Sequence, residues 1–338
     1  MNIELDKLIK NLIKIEKRYS KYFFKSDYDF REALIAKVFN SLVKKNEVFK
    51  KPVNKLIMHF PNTSKISREF LLSHEKSPDH FWEPQTHKLL NILCKNKKDI
   101  IFGGAFFGDH ACFIAKNFSK STIHCFEPVS KSRKYLKKNK IENGLKNLKI
   151  SSNALYKKEK QKLYLIDKIN DDAGISLSFN KEDSSKFFLT DTLDNYAHRN
   201  KIKKIDLLMI DVEGSELNVL LGAKNLLKEN NIDNIIFEMH SNYLDWKNGL
   251  KNTPIVKLLL KNNFYIYAIR DYYSNKKLRN KIELLELENT YLDGPDHGFN
   301  LIATRNKDLV RNKEILLSKK NYSPKYLFHK SSKKFHYI

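Results

Sequence analysis

From residue 99 onward the chain alternates between two kinds of segment. Short apolar runs, "DIIFG", "STIHCFE", "LKISSNAL", "QKLYLI", "IDLLMIDV", "NIIFEMH", "FYIYAIRD" and "FNLIATR", read as strands. Between most of them lie helix-like stretches, "DHACFIAKNF", "SKSRKYLKKNKIEN", "SELNVLLGAKNLLKEN" and "TPIVKLLLKNN". Several strands are apolar throughout, as expected when both faces of a sheet are covered. The alternation predicts an α/β fold built on a doubly wound, mostly parallel sheet. The last two strands flank a long insertion, "YYSNKKLRNKIELLELENTYLDGPDHG", whose aromatics, acids and Gly-Pro suit a lid.

Residues 1–85 differ from this pattern, because helical periodicity dominates and strand-like runs are scarce. "DYDFREALIAKVFNSLVKKNEVF" sets Phe30, Leu34, Val38 and Leu42 on one helical face. "FPNTSKIS" reads as a loop. "DHFWEPQTHKLLNILCKN" predicts a helix begun near Pro84 with Leu89, Leu90 and Leu93 buried. The expected organisation is a helical N-terminal cap over residues 1–85, a catalytic domain over 86–306 and a basic tail over 307–338.

The net charge is +24, from 63 Lys and Arg against 39 Asp and Glu. Such a balance suits a polyanion or a membrane surface. The basic residues are mostly scattered lysines in an Asn- and Ile-rich chain, which favours compositional drift over a dedicated polyanion site. No RNA-binding aromatic signature and no Asn-Pro-Pro-Tyr base-flipping motif occurs, which argues against a nucleic-acid partner. Cys94, Cys112 and Cys125 form no CxxC pair, so a disulfide framework and a cysteine zinc site are disfavoured. With no apolar run of ~18 residues and no secretory signal, the expected location is cytoplasmic.

Four constellations carry chemistry. In "DIIFGGAFFGDHACFIAK" a strand hands over to a helix through Gly103, Gly104, Ala105 and Gly108, with Asp109 just past the turn. Glycine lets backbone approach a ligand closely. Gly104 and Gly108 are four residues apart, so the dinucleotide fingerprint GxGxxG is absent, as is a Walker lysine. "CFEP" ends the next strand with Glu127. An acid there, ~20 residues past the glycines, is placed to accept ribose hydroxyls. "LLMIDVEGSELNVLLGA" runs from a strand into Asp211, Glu213, Gly214 and Glu216, at the strand edge where open α/β sheets bind ligands. Glu216 reads there as a helix-start acid. "IIFEMH" ends in Glu238 and His240, and His240 can take a proton from a hydroxyl.

Together these pieces resemble the FkbM family of S-adenosylmethionine-dependent methyltransferases, over about Asp99 to Arg305. The family pattern is a "D-x-G-A-x-x-G" turn, then "F-E-P", "T-L-D", "I-D-x-E-G-x-E" and an acid ending the next strand. Here those are "FGGAFFG" at Phe102–Gly108, "FEP" at Phe126–Pro128, "TLD" at Thr192–Asp194, "IDVEGSE" at Ile210–Glu216, and Glu238. Phe102 replaces the family's first acid and removes a contact to the methionine amino group, for which Asp109 is a candidate substitute. The resemblance implies a Rossmann-like class I methyltransferase sheet with its last strand antiparallel. It implies S-adenosyl-L-methionine held by Gly103, Gly104, Ala105, Gly108, Asp109, Glu127, Asn153, Ala154 and Asp211, and no metal residues are assigned. The acceptor expected is a hydroxyl of a sugar, surface polysaccharide or secondary metabolite, with Asp211, His240 and Glu238 the catalytic candidates. The competing readings are a nicotinamide-dependent oxidoreductase and a nucleic-acid methyltransferase or binder.

Overall fold

The computed structural model describes residues 3–23, 34–42, 48–53, 55–61, 64–71, 81–165, 177–178, 187–271, 278, 280–292, 298–325, 329–331 and 334–335. Helices α1 (Ile3–Phe23) and α2 (Ala36–Leu42) come first, followed by a hairpin of β1 (Val48–Val53) and β2 (Leu56–Pro61), and then α3 (Lys65–Leu71). The hairpin stands where only helices were expected. Its sequence "VFKKPV" does alternate, with Phe49, Lys51 and Val53 turned inward, but the buried Lys51 hides the period. Lys51 reaches the Leu71 carbonyl, which satisfies its ammonium. The expected face of α2 also changes. Leu34 and Leu42 are exposed while Ile35 and Phe39, one helical turn apart, are buried. Phe30 lies outside the described residues. Most of "FPNTSKIS" is taken up by the end of β2 and the start of α3, with Asn62 and Thr63 outside the described residues.

Helix α4 (Pro84–Leu93) starts on its proline and buries Leu89, Leu90 and Leu93. Beyond it come β3 (Asp99–Gly103), α5 (Ala111–Asn117), β4 (Thr122–Phe126), α6 (Ser130–Glu142) and β5 (Leu148–Ser151). The chain then makes β6 (Ala154–Leu155), β7 (Lys162–Leu165), β8 (Leu177–Ser178), β9 (Phe187–Asp191) and α7 (Leu193–Arg199). Next are β10 (Ile205–Ile210), α8 (Glu216–Leu221), α9 (Lys224–Lys228), β11 (Ile232–His240) and α10 (Pro254–Lys261). The last elements used here are β12 (Tyr265–Ile269), β13 (Ile282–Glu286), β14 (Gly298–Thr304) and β15 (Ile315–Ser318).

One sheet holds nine strands in the order β15-β13-β12-β14-β11-β10-β3-β4-β5. The five from β11 to β5 are parallel, and β14 inserts antiparallel between β11 and β12. This is the doubly wound sheet expected, with additions at one edge. Strand β13 lies antiparallel to β12, and β15 parallel to β13. Thus "IELLE", read as part of a lid, is sheet, and so is "ILLS" from the expected tail. Both are short apolar runs among polar residues, and each supplies backbone partners to an edge that would otherwise be open. The Gly-Pro part of the expected lid, residues 293–297, lies outside the described residues. "LKISSNAL" splits between two sheets, and "QKLYLI" joins the smaller four-stranded sheet β6-β9-β7-β8. Among the described residues, no helix is long and apolar enough to cross a membrane.

The N-terminal hairpin and the large sheet share one core. The Phe60 ring stacks on Phe107 at 5.7 Å, and Phe70 meets Phe107 and Phe113 at 5.7 and 6.2 Å. Helix α6 also takes the place of a third strand beside β2. Asn143 Oδ1 accepts the Ile57 N–H at 2.7 Å and its Nδ2 donates to the Ile57 carbonyl at 2.8 Å. Asn139, one turn earlier, does the same for His59 at 2.6 and 3.0 Å, and also donates to the Phe107 carbonyl at 2.9 Å. Two amides at helical spacing i, i+4 therefore match alternate residues of a strand. Asn139 is fully buried, so Asn139→Ala leaves three backbone groups without a partner. We expect it to lower the unfolding free energy by about 3 kcal/mol, measured by urea denaturation. A loss below ~1 kcal/mol would show that water replaces the amide.

Candidate active site

The turn after β3 is built backbone to backbone. Gly104 and Ala105 N–H groups both donate to the Phe126 carbonyl at 3.0 Å, and the Asp211 N–H donates to the Gly103 carbonyl at 2.9 Å. Gly104 has φ +81°, and a Cβ there would stand 1.7 Å from the Asp211 carbonyl oxygen. Only glycine lets the loops leaving β3 and β10 approach so closely. Gly108, at φ +92°, serves the packing of α5, because a Cβ would meet Cys112 Sγ at 2.4 Å. Glu127 holds this turn in shape. Its Oε2 accepts the Phe106 N–H and its Oε1 the Val129 N–H, each at 2.8 Å. Arg133 in turn donates to the Glu127 and Pro128 carbonyls.

The loop after β10 turns through Glu213 (φ 53°) and Gly214 (φ 95°). Glu216 folds back on that loop, and its Oε1 accepts N–H bonds from Val212 at 3.0 Å and Gly214 at 3.3 Å. It is thus a brace for the turn rather than only a helix-start acid. Glu213 Oε2 accepts the Tyr243 hydroxyl at 3.2 Å. On β11, Glu238 and His240 face the same way. A Cβ on Gly298 of β14 would meet Glu238 Oε1 at 2.4 Å and His240 Cδ2 at 2.6 Å. Carboxylate oxygens of Asp211, Glu213 and Glu238 lie within 4.8 Å of one another, close enough to share a divalent cation. In "TLD", Thr192 caps α7 and Asp194 accepts N–H bonds from Asn225 and Leu226 of α9, so these two residues are structural.

A cleft of about 1040 Å³, its open mouth included, lies between these loops. Of the residues expected from sequence, Gly104, Ala105, Asp109, Glu127, Ala154 and Asp211 line it, and Gly103, Gly108 and Asn153 do not. Asn153 donates its backbone N–H to Ser151 Oγ, and the following Tyr156 faces the cleft instead. Glu238 and His240 stand outside the lining, although Glu238 belongs to the acid triad. Phe106, His110, Ser132 and Tyr156 line the cleft without having been singled out, as does Ile66 from α3. Tyr156 was findable as the aromatic directly after "SSNAL". Ile66 depends on tertiary packing alone.

Burial raises several acids around the cleft. Glu127 and Asp109 are pushed up to about 8, against the N–H bonds that Glu127 accepts and with the Asp211 charge adding to Asp109. Glu83, at the start of α4, and Glu216 reach about 7, and Asp211 about 6. Glu238 is raised well above the carboxylate range by burial and by Asp211 and Glu213. Burial also lowers His110 to about 4.

A doubly wound sheet with an antiparallel insert and an acid-lined cleft at its carboxyl edge is the architecture expected from the sequence for a Rossmann-like class I methyltransferase. The chain belongs to the methyltransferase FkbM domain family, whose domain matches residues 103–277, more than half of the 338. No curated protein matches the chain. Solved structures similar to it include a precorrin-6y C5,15-methyltransferase from Geobacter metallireducens, at 10% identity and TM-score 0.36, covering 72% of this chain and 100% of that one. A SAM-dependent methyltransferase from Agrobacterium tumefaciens has 9% identity and TM-score 0.40, covering 78% and 72%. The magnesium protoporphyrin IX methyltransferase of Synechocystis has 12% identity and TM-score 0.35, covering 86% and 97%.

The raised acids make stability depend on pH with a definite sign. From about pH 5 to about pH 7 the folded chain holds protons on Glu83, Asp109, Glu127 and Glu216 that the unfolded chain has already lost, and on Asp109 and Glu127 this persists to about pH 8. A state that binds more protons loses stability as pH rises, so the melting temperature of the ligand-free protein should fall across this window. Thermal melts that are flat or rising there would show that these acids are charged in the folded protein.

Proposed function

We propose that this protein transfers a methyl group from S-adenosyl-L-methionine to a hydroxyl of a sugar, a surface polysaccharide or a secondary metabolite. The observation that carries this reading is the concentration of desolvated carboxyls around one cleft, at the ends of β3, β4, β10 and β11. Such a site favours a cation. The residues fit the cofactor. Glu127 uses one acceptor position on each oxygen for the turn, and a carboxylate has further lone pairs for two ribose hydroxyls. Ala154, Leu155, Tyr156 and Leu163 offer an apolar wall for adenine. When bound, the cofactor supplies an electrophilic methyl on a sulfonium centre.

The chain's own part is to orient the acceptor and to receive its proton. Asp211, in the cleft and with its carboxyl raised to about 6, has the affinity of a general base near neutrality. Glu238, within reach of Asp211 and Glu213, is the second candidate. His240 Nδ1 accepts the Asn242 N–H at 3.1 Å. That bond favours the tautomer with its proton on Nε2, which makes His240 a donor that orients the acceptor oxygen rather than the first base. A polyanionic acceptor would meet the acids of the mouth, which supports a neutral polyol over nucleic acid despite the charge of +24. Cys94, Cys112 and Cys125 are free and buried, in keeping with a reducing, cytoplasmic setting.

The test is ligand-induced stabilisation followed by kinetics. S-adenosylhomocysteine should raise the melting temperature, and NAD should not. Glu127→Ala should weaken S-adenosylhomocysteine binding by about 10-fold or more. In single-turnover methylation of a hydroxyl acceptor, Asp211→Asn should slow transfer by about 100-fold or more with cofactor affinity kept. His240→Ala should cost less than that. Stabilisation by NAD alone would return the oxidoreductase reading, and labelling of RNA in preference to glycans would return the nucleic-acid one.

A further inference from the structure

Glu83 and His110 are given no role by the sequence motifs, and Glu83 lies before the family domain begins. His110 lines the cleft at 6% exposure, yet neither of its ring nitrogens makes a hydrogen bond. On one side its ring stacks on His87 at 6.0 Å. Its Nε2 stands 3.9 Å from Glu83 Oε2. That gap is too long for a direct hydrogen bond and short enough for one donor atom to reach both. Glu83 is held in place for such a donor. Its Oε2 accepts Asn300 Nδ2 at 2.5 Å, and Asn300 also donates to Thr86 Oγ1 at 3.2 Å. Buried polar groups in native proteins are nearly always satisfied, so an unfilled imidazole facing a cleft points to a ligand group.

The donor that fits is small and cationic, because Glu83, Asp109 and Asp211 act on one another at this end of the cleft, and the cation that acts on Glu83, Lys325, is itself held by Asp271 at 2.6 Å. Asp109 lines the same end, and burial together with the Asp211 charge raises its carboxyl to about 8. Phe102, where the FkbM pattern has an acid, contributes no charge. We propose that Glu83 and His110 receive the amino-acid end of the cofactor, with its ammonium bridging Glu83 Oε2 and His110 Nε2, and that Glu83 thereby replaces the acid absent at Phe102. The proposal rests on the S-adenosylmethionine reading above.

Calorimetry on the full chain tests it with three ligands. They are S-adenosylhomocysteine, its analogue lacking only the amino group, and 5′-methylthioadenosine, which lacks the amino-acid end. The unmodified protein should prefer S-adenosylhomocysteine to the deaminated analogue by about 10-fold or more. Glu83→Gln and His110→Phe should each erase most of that preference and leave methylthioadenosine affinity within about twofold. Absence of the preference in the unmodified protein overturns the proposal. So do variants that weaken all three ligands equally, or none, which would mean that a bound water only fills the gap. If Glu83→Gln does not fold, Glu83→Asp withdraws the carboxylate while keeping its charge, and an undiminished preference there overturns the assignment to Glu83. Failure of the unmodified protein to bind any of the three overturns the cofactor reading itself.

Discussion

Like charges held together away from water are the constraint on which this structure turns. A parallel sheet delivers its strand ends to one edge, and here those ends bring Glu127, Asp211, Glu213 and Glu238 to one place. Two unit charges 4.8 Å apart repel by about 3 kcal/mol at an effective dielectric constant of 20, more than a typical hydrogen bond contributes net. The protein answers in two ways. Glu127 and Glu216 are each given two backbone N–H donors, and those bonds shape the loops after β4 and β10. Asp211 receives no comparable shield, and its raised carboxyl keeps a share of its protons near neutrality. Glu216 is thus committed to its loop, Glu127 braces its loop with lone pairs to spare, and Asp211 lines the cleft directly.

The loops that hold these acids are positioned by contacts distant in sequence. The Gly104 backbone lies against the Asp211 carbonyl, which locks the β3 turn to the β10 turn. Phe107, in the same turn, stacks on Phe60 of the hairpin, and its carbonyl accepts Asn139 of α6. The hairpin is therefore linked to the cleft through the glycine turn, and α3 adds Ile66 to the cleft wall. An N-terminal segment that shares a core with the turn thus reaches the cleft wall without supplying its central acids.

How far the sequence could be read follows from the range of each interaction. The β3–β4 and β10–β11 units were legible because their strands are largely apolar and buried and each leads into a helix. Glu127 and Asp211 were legible because a strand end fixes where the next residue points. Strands β13 and β15 were not, since "IELLE" and "ILLS" are too short to stand out among their polar neighbours. The hairpin was hidden by Lys51, a charge on an inward position whose ammonium donates to the Leu71 carbonyl. Tyr156 was less legible because "LKISSNAL" reads as one continuous strand, and the break between β5 and β6 brings Ala154 and Tyr156, but not Asn153, into the cleft lining. Glu83 was illegible for a plainer reason. It reaches the cleft from the start of a helix, through Asn300 on a strand more than 200 residues away.

The overall charge of +24 and the acid-lined cleft describe different parts of the molecule. Lys131, Lys134, Lys137 and Lys138 lie on the exposed side of α6, whereas Asn139 and Leu136 of the same helix are buried. Exposed charges are screened over a Debye length of about 8 Å at physiological salt, and buried ones much less. The surface lysines therefore affect diffusion and solubility more than they offset the acids inside. What enters the cleft meets these local acids, and a bound cation favours their ionised forms. On the proposed reading, cofactor binding comes first in the electrostatic order. It lowers the cost of ionising Asp211, and an ionised Asp211 is what a neutral hydroxyl acceptor needs in order to give up its proton. An anionic acceptor would gain less from the same sequence, because the charge it brings would oppose the very ionisation that the cofactor promotes.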